Sequence, residues 1–263
     1  MAHPRDDTQA ADRANVSDAF LLEVVRRWQL LAALQAAPAS SSELTERVDL
    51  SRSTVHRATD ALTELNLIEK SDGTFSLTSY GKVVTEKTRN FREQMEATQL
   101  LAPFLSYVDV PGFPVEYFVD ADVIEPKPRQ PHYSVRRIIE LIEGTEYLRV
   151  FSTVISPFYV EVAHREMLNG MRAEAIFDQQ TIDIILQEYG QETQEAAEVD
   201  RFEVYVHDAI PFELFLFDER IGIAAHDDDG IARVLVVSSS ERAYEWGEQL
   251  YAEYLSDAHP VTG

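Results

Sequence analysis

The hydrophobic period of the first eighty residues changes from helical to strand-like, and this change limits the possible folds more than any other feature of the sequence. Apolar side chains recur at helical spacing near the start of the chain, at Phe20, Val24, Trp28 and Leu31. We therefore predict one amphipathic helix over residues 18–36, in which Leu21 and Val25 widen the apolar face. Pro38 ends this helix.

Two further helices are predicted after this proline. The run from Ser40 to Glu43 places a hydroxyl three positions before a carboxylate, which is the capping-box arrangement at a helix start. Leu44 and Val48 give this second, short helix one apolar face. Ser51 can cap a third helix, whose inward-facing residues recur every three or four positions: Val55, Ala58, Leu62 and Leu65.

A β-hairpin is predicted after the third helix. Its strands cover residues 67–70 and 74–77, and they are separated by Ser71, Asp72 and Gly73. Gly73 can take the positive φ angle that a tight turn needs.

Three helices followed by a hairpin resemble the winged helix-turn-helix domain of many archaeal and bacterial transcription regulators. Residues 51–57 are similar to the recognition helix of that family, and residues 62–70 are similar to the segment that leads into its wing. The resemblance covers residues 18–80. It implies a protein that binds double-stranded DNA.

The third helix and the wing carry the predicted DNA contacts. The major groove of DNA admits one helix, and hydroxyl and guanidinium groups at the helix start reach phosphates and base edges there. Arg52 and Arg57 are the main candidates for these contacts. The full set is Ser51, Arg52, Ser53, Thr54, His56, Arg57, Lys70 and Thr74. The alternative is that these residues only form a polar, solvated helix face.

Charge is distributed unevenly along the chain. The net charge is −23, from 46 acidic and 23 basic residues, and such a charge repels DNA phosphates. Residues 19–90, however, contain nine basic and nine acidic side chains and have no net charge. We interpret the carboxylate excess as typical of a halophilic archaeon, and the neutral segment as the part that contacts DNA. The absence of cysteine excludes disulfides, thiolate metal sites and thiol redox sensing.

A long helix is predicted after the wing. It covers residues 80–107, because the chain has neither glycine nor proline from Lys82 to Ala102. A helix over residues 80–107 spans about 40 Å. Its apolar stripe has heptad-like spacing, at Val84, Phe91, Met95, Ala102 and Leu105. We predict that this stripe forms a homodimer, which would present two recognition helices to a palindromic site. The alternative is that the stripe packs on the C-terminal domain of the same chain.

Strand and helix signals alternate after a break at residues 111–114. Strands are predicted at 115–119, 147–153, 173–177, 202–207, 212–217, 221–225 and 232–237, and helices near 133–143, 157–169, 180–190 and 241–255. The predicted fold class is therefore α/β with an all-α plus wing N-terminal part. The predicted domains are a flexible tail (1–17), the winged helix-turn-helix (18–79), the long dimerisation helix (80–108) and a mixed α/β sensor domain (109–263).

The C-terminal pattern over residues 115–256 resembles the sensor domain of archaeal regulators of the methanogenesis-regulator type. It is more distantly similar to the phospholipase-D-like domain of TrmB sugar regulators. Phospholipase D enzymes use a His-x-Lys-x-x-x-x-Asp motif, and placing Asp218 as its last member puts Pro211 at the histidine and Glu213 at the lysine. A proline is no nucleophile, and a carboxylate repels phosphate, so the resemblance implies a non-catalytic scaffold.

A ligand site is predicted at the carboxyl ends of the strands, where open α/β sheets bind ligands. Its candidate residues are Ser152, Thr153, Ser156, Phe158, Asp178 and Glu213. Each of them suits a helix cap or the core equally well. His207 and His226 lie near aspartates, but they do not form a close histidine pair, so we expect neither a metal nor another cofactor.

These patterns together predict a cytoplasmic transcription regulator that is not an enzyme. A dimer would bind DNA and respond to a small-molecule effector through the C-terminal domain. No membrane partner is expected, because no apolar run reaches the length of a membrane span. One alternative is constitutive DNA binding with a C-terminal protein-interaction module. Another is a phosphodiesterase, against which the missing histidine and lysine argue.

Overall fold

The computed structural model describes residues 17–130, 132–227 and 229–261, and the chain divides into two compact units, residues 1–93 and 94–263. The predicted tail lies outside the described residues except for Ser17. The elements that begin in the first unit are α1 (Asp18–Arg26), α2 (Trp28–Ala36), β1 (Ala39–Ser40), α3 (Ser41–Arg47), α4 (Arg52–Glu64), β2 (Ile68–Ser71), β3 (Thr74–Leu77) and α5 (Ser79–Leu100). Their order is that of a winged helix-turn-helix, as the sequence predicted.

The prediction of a single helix over residues 18–36 was wrong in one respect. The structure has two helices there, which are separated at Arg27. The backbone there has φ −106° and ψ 15°, and the Arg27 guanidinium folds back to pair with Glu23. The predicted widening of the buried face was also wrong. Leu21 and Val25 are 50% and 40% exposed, and only Val24 of α1 is fully buried.

The core of the first unit follows the predicted helical pattern. Val55, Ala58 and Leu62 of α4 are buried against Leu44 of α3 and Val48. The capping box at the start of α3 is formed, since Ser40 and Glu43 bond to each other's backbone amides. The predicted second and third helices are thereby confirmed.

The hairpin turns through two residues. Ser71 pairs with Thr74, and both intervening residues have positive φ, 50° at Asp72 and 83° at Gly73. This is the geometry of the tight hairpin turns whose twist matches that of the strands. β1 adds to the free side of β3 and completes a three-stranded sheet in the order β1-β3-β2.

Hydrogen bonds hold the start of α5 against the turn between α4 and β2. The Thr78 hydroxyl donates to the Asn66 carbonyl at 2.7 Å and accepts from the Gly81 amide at 2.9 Å. The helix passes so close to this turn that a Cβ on Gly81 would lie 1.8 Å from the Leu67 carbonyl oxygen. A side chain larger than hydrogen therefore does not fit at position 81 without moving backbone.

The second unit contains one large sheet with helices on both faces. Its elements are α6 (Ala102–Leu105), a 3-10 turn (Val115–Tyr117), β4 (Asp122–Ile124), α7 (Tyr133–Ile142), β5 (Tyr147–Ser152), α8 (Pro157–Asn169), β6 (Arg172–Phe177), α9 (Gln179–Glu188), α10 (Gly190–Glu198), β7 (Phe202–Val206), β8 (Glu213–Leu216), β9 (Ile221–His226), β10 (Ala232–Ser238), α11 (Glu241–Asp257) and β11 (His259–Pro260).

The strand order of this sheet is β11-β7-β6-β5-β8-β9-β10-β4. β5, β6 and β7 run parallel, whereas β8 enters antiparallel beside β5 and begins the meander of β8, β9 and β10. The carboxyl ends of β5 and β6 therefore meet the amino end of β8. The pairing of β5 with β8 therefore brings together residues that are about sixty positions apart in sequence.

Side chains alternate between the two faces of β8, as the period of a strand requires. Leu214 and Leu216 pack with α11 and Phe118 in one core cluster. Phe215 packs with α7 and α8 in the other cluster, through residues such as Ile138 and Tyr159. Glu213 lies two positions before Phe215 and so belongs to the α7–α8 face.

Two predictions for this region were wrong. Residues 115–119 do not form a strand: Val115–Tyr117 form a 3-10 turn that Pro114 precedes, and Phe118 is buried in the core. The helix predicted over 80–107 ends at Leu100, and a new short helix starts at Ala102 with Pro103 in its first turn. The other predicted strands and helices of the second unit are confirmed to within about two residues at most ends.

The close approach at Gly81 leads to a stability prediction. Gly81→Ala should lower the free energy of unfolding of the first unit by about 2 kcal/mol or more, because the new methyl group meets rigid backbone. Trp28 is the only tryptophan of the first unit, so its fluorescence in a Trp246→Phe background reports that unit during urea titration. Lys82→Ala, at the next and exposed position, is the control. Equal midpoints for the two variants would contradict the clash.

Candidate nucleic-acid interface and carboxyl cavity

The start of α4 is held in place by its cap and its buried face. The Ser51 hydroxyl accepts from the Thr54 amide at 3.3 Å and lies 3.0 Å from the Ser53 hydroxyl. Because Val55 and Ala58 are buried, the opposite face of the helix points to solvent. The cap and the core together fix the direction of that face.

The two arginines and the histidine predicted on α4 lie on this solvent face. Arg52, His56 and Arg57 are all exposed. The Arg57 Nε donates to the Ser53 carbonyl at 3.3 Å, and the His56 Nδ1 lies 2.8 Å from an Asp60 carboxylate oxygen. These contacts are between exposed groups, so they cost little to exchange for contacts with a partner.

The hairpin supplies the two remaining predicted contacts. Lys70 is exposed near the end of β2, and its ammonium lies 5.1 Å from the centre of the Phe75 ring. Thr74 is half-buried at the start of β3. All eight predicted DNA-contact residues thus lie on α4, its cap and one hairpin of the first unit.

The predicted dimerisation stripe divides into two groups. Val84 packs against the core of the first unit, and Leu105 packs against a core cluster of the second. Phe91, Met95 and Ala102 remain exposed, the first two by 53% and 51%. The surface left for a partner is therefore shorter than the sequence predicted.

The structure joins two of the six predicted ligand residues by a hydrogen bond. The Ser152 hydroxyl, at the end of β5, lies 2.8 Å from Glu213 Oε1, at the start of β8. Both side chains are buried. Of the others, Asp178 caps α9 by accepting from the Thr181 amide, and Phe158 is 48% exposed. Thr153 and Ser156 lie after β5, exposed and half-buried respectively.

His226 is a neighbour of Glu213 that the sequence analysis had set aside. It ends β9 on the same face as Glu213, two positions beyond the register partner Ala224. Its Nε2 lies 3.1 Å from Glu213 Oε2, but the geometry is not that of a hydrogen bond, and Oε2 has no hydrogen-bond partner among the described residues. The sequence did not predict this proximity, because it depends on the register between β8 and β9.

Burial favours the neutral form of both groups. Desolvation raises the pKa of Glu213 to about 8, against the lowering effect of its hydrogen bond with Ser152. Desolvation also lowers the pKa of His226 to about 4, although the charge of Asp227 opposes this. We therefore describe the pair as a carboxylic acid beside a neutral imidazole rather than as an ion pair.

The hydrogen bonds of Ser152 agree with a protonated Glu213. The serine hydroxyl accepts from the Val154 amide and lies 2.9 Å from the Val154 carbonyl oxygen. A hydroxyl has one hydrogen, so it cannot donate to both that carbonyl and a carboxylate. If Glu213 carries a proton on Oε1, it donates to Ser152, and Ser152 donates to the carbonyl.

Glu213 lies in the wall of an apolar cavity of about 100 Å³. The cavity lies between the sheet and helices α8 to α10, and its apolar lining includes Val150, Ala163, Ala175, Phe177 and Phe215. The polar groups of its lining besides Glu213 come from Ser152 and from the helices: Tyr159, His164, Tyr189, Glu192 and Thr193. A second cavity of about 240 Å³, lined in part by Thr153 and His226, also meets Glu213.

The remaining candidate groups have structural partners. The Asp218 carboxylate accepts from the backbone amides of Glu146 and Tyr147 at 3.0–3.2 Å. His207 accepts from the Ala209 amide at 3.1 Å and packs on Tyr254. Within the described ranges, no group of three or more acidic or histidine side chains is arranged to hold a metal ion.

Two family models match the sequence. Residues 131–257 match the middle domain of the methanogenesis regulatory protein FilR1, and residues 16–100 match the HVO_A0261 N-terminal domain. These matches confirm the predicted resemblance to regulators of the methanogenesis-regulator type. No curated protein matches the chain.

Solved structures show more distant likenesses. TrmBL2, an archaeal chromatin protein, is 13% identical, with a TM-score of 0.45 over 93% of this chain and all of that chain. Nuc, a phospholipase D family member from Salmonella typhimurium, is 8% identical, with a TM-score of 0.41 over 55% of this chain and all of that chain. A phosphatidylserine synthase from Haemophilus influenzae is 9% identical, with a TM-score of 0.41 over 83% of this chain and 47% of that chain. These likenesses are too low to assign an activity.

None of the helices in the described part of the chain combines the length and the apolar character that crossing a membrane requires.

The protonated Glu213 leads to a pH prediction for the second unit. Its pKa of about 8 lies above the unfolded value of about 4.3, so its contribution to stability is lost as the pH rises through 8. The lowered pKa of His226 acts in the opposite direction, but only below about pH 6.5. We expect the free energy of unfolding to fall between about pH 6.5 and 8, by at most about 1.4 kcal/mol per pH unit, and to level off above pH 8. Glu213→Gln should remove this fall.

Trp246 fluorescence in a Trp28→Phe background reports the unfolding of the second unit. Glu219→Gln removes an exposed carboxylate and should leave the wild-type pH profile unchanged. Identical profiles for Glu213→Gln and the wild type would show that Glu213 is ionised in the folded protein.

Proposed function

Because the chain combines an HVO_A0261-type N-terminal domain with a FilR1-type middle domain, we propose that it is a transcription regulator that binds double-stranded DNA. In this proposal, residues 18–79 form the DNA-binding domain and α4 enters the major groove. Residues 80–108 provide the dimer contact, and residues 109–263 form a non-catalytic effector domain.

The exposed face of α4 carries the proposal. Arg52 and Arg57 are exposed on a helix whose other face is buried, in a segment without net charge. Guanidinium groups bind both phosphates and the O6 and N7 atoms of guanine. The exposed Lys70 supports a backbone contact by the wing.

The excess of carboxylates in the rest of the chain supports the interpretation that the protein works in a cell with a high internal salt concentration. Concentrated salt suppresses the gain from counterion release, so phosphate contacts contribute less to affinity there. Contacts with base edges and the avidity of a dimer then have to supply more of the binding free energy.

Exposed apolar side chains on α5 and α1 support a dimer. Phe91 and Met95 lie one helical turn apart on α5, and both are about half exposed. Leu21, Leu22 and Val25 of α1 are exposed as well. Phe91 and Met95 are adjacent on one helix face, and such neighbouring exposed apolar side chains are found at protein contact surfaces.

The second unit supports ligand sensing rather than catalysis. The position that would hold the nucleophilic histidine of a phospholipase D is Pro211, and Asp218 is bound to backbone amides. A cavity beside a buried carboxyl group favours a small-molecule effector over a purely structural or protein-binding module.

Removing the two arginines of α4 tests the DNA-binding proposal. The double variant Arg52→Ala/Arg57→Ala should bind DNA fragments, selected from genomic DNA by the wild-type protein, at least about 30-fold more weakly, since each base contact contributes about 1–3 kcal/mol. The control, Arg26→Ala/Arg89→Ala, removes two exposed arginines of other helices and hence the same charge. Both are measured by fluorescence anisotropy in concentrated KCl. Equal affinities of the two double variants would contradict the proposed role of α4.

Adding charge to α5 tests the dimer. Phe91→Glu/Met95→Glu should shift the protein from dimer to monomer in sedimentation equilibrium, because two carboxylates would be buried in the contact. Asn90→Glu/Gln94→Glu places the same charges at exposed neighbouring positions and should leave the dimer intact. A monomeric wild type at micromolar concentration would exclude this dimer.

A further inference from the structure

The surface of the cavity between the sheet and helices α8 to α10 is almost entirely apolar. Its volume is about 100 Å³. The strands β5, β6 and β8 contribute Val150, Ala175 and Phe215 to its lining, and α8 contributes Ala163 and Met167. Water has no hydrogen-bond partners in such a space, and apolar cavities in proteins therefore stay dry.

The polar residues on the sheet side of the lining bond elsewhere. The Ser152 hydroxyl accepts from the Val154 amide at 2.9 Å and lies 2.8 Å from Glu213 Oε1. Glu213 Oε2 is buried and lies 3.1 Å from the Nε2 of His226, a residue that lines the second cavity and not this one. Neither residue therefore offers this cavity an accessible hydrogen-bonding atom.

Polar groups on the helix side are engaged in the same way. The Thr193 hydroxyl donates to the Tyr189 carbonyl at 2.8 Å. His164 Nε2 is a buried atom that lies 3.1 Å from Glu195 Oε2. A ligand in this cavity is therefore bound by contacts with apolar side chains rather than by hydrogen bonds.

We propose that this cavity binds a small, uncharged, apolar molecule of at most about benzene's size, through contacts with apolar side chains alone. The inference names the ligand class of the proposed sensing function and rests on that function for its biological meaning. An engineered apolar cavity of about 150 Å³ binds benzene and xenon, and the cavity here, at about 100 Å³, is somewhat smaller.

The lining excludes polar and charged ligands. A polar group that enters an apolar space loses its hydrogen bonds to water, and a charged group loses far more. A sugar or a nucleotide is also too large for a cavity of about 100 Å³. A single unsubstituted ring or a short hydrocarbon chain fits both the volume and the lining.

Helices α9 and α10 form the less tightly packed wall of the cavity. Tyr189 and Thr193 of this wall are half-buried, whereas Ala175 and Phe215 of the sheet are buried. Ala196 is the one buried residue of α10. A segment with few buried apolar side chains opens at a low cost in free energy, which gives a ligand a way in. A bound ligand adds apolar contacts to these helices and should slow the amide hydrogen exchange of residues 179–198.

Benzene, pyridine and phenol test the inference on the full-length protein without DNA, at neutral pH, where all three are uncharged. The rings have similar sizes, but pyridine carries a hydrogen-bond acceptor and phenol a hydroxyl. Pyridine thereby tests whether a donor of the lining, such as the Tyr159 hydroxyl, reaches the ligand. We expect pyridine and phenol to bind at least about 5-fold more weakly than benzene, because the lining does not replace their lost hydration.

NMR of methyl-labelled methionine measures the binding and its place together. The chain has four methionines; Met167 lines the cavity, whereas Met95 is exposed on α5. Benzene should shift the Met167 signal until it saturates and leave the Met95 signal in place. Met167→Leu identifies the Met167 signal by its loss.

Three further variants locate the site. Ala163→Leu fills the cavity from α8, and Ala175→Val narrows it from β6, so each should weaken benzene binding by about 10-fold or more. Ala197→Leu, at an exposed position of α10, should leave benzene binding unchanged. The Trp246 unfolding transition shows which variants are folded, and one folded filling variant suffices for the test.

The inference is overturned if benzene does not shift the Met167 signal to saturation, or if pyridine or phenol binds as tightly as benzene. It is also overturned if a folded filling variant binds benzene like the wild type, or if benzene leaves the amide exchange of residues 179–198 unchanged. Because these titrations contain no DNA, their failure leaves the DNA-binding proposal standing. A loss of DNA binding in the α4 variants would leave the cavity result standing in turn.

Discussion

A net charge of −23 is the constraint on which the proposed mode of DNA binding depends. A protein with a net charge of −23 can approach a polyanion only through a surface from which the carboxylate excess is absent. The segment 19–90 has that property, and it is also the segment whose three helices and hairpin present an arginine-bearing helix face. Charge and fold therefore agree on the part of the molecule that is proposed to contact DNA.

The second unit depends on one topological feature of its sheet. The antiparallel insertion of β8 beside the parallel strand β5 places the first residue of β8 among the last residues of β5 and β6. That residue is Glu213, so a carboxyl group becomes buried at the position where open α/β sheets bind ligands. At this join the chain has a buried carboxyl group beside an apolar cavity.

In both units, the burial of neighbouring residues fixes the direction of a polar side chain. In α4, the buried residues Val55 and Ala58 determine which way Arg52 and Arg57 point. At the start of β8, the packing of Phe215 and Leu214 on opposite faces determines that Glu213 points into the α8 side of the sheet. In neither case does the local sequence around the polar group determine its direction without the packing of its neighbours.

The elements that the sequence predicted well are those in which hydrophobic period and capping act together. Helix α4 has a serine cap and a regular apolar face, and the hairpin has a two-residue turn with glycine, so both could be placed from local signals. The pairing of Ser152 with Glu213 was predictable in outline from the rule on strand ends.

The remaining features depend on long-range packing or on competing local signals. The proximity of His226 to Glu213 follows from the register of β8 and β9, which a single sequence does not specify. The exposure of Leu21 and Val25 was also not predictable. The apolar pattern predicts that a residue is buried, but it does not say whether its own chain or a second chain buries it. Helix α10 begins at Gly190 and is rich in polar residues, so its hydrophobic period was too weak to identify.

The most direct measurement of the central claim is a map of the contact between the full-length protein and DNA. Photo-crosslinking of the protein to bound DNA fragments, followed by mass spectrometry of the crosslinked peptides, identifies the contacting residues without any substitution. The charge argument predicts crosslinks within residues 51–57 and 70–74. Crosslinks confined to residues 131–257 would contradict it, because the DNA would then be bound by the acidic part of the chain.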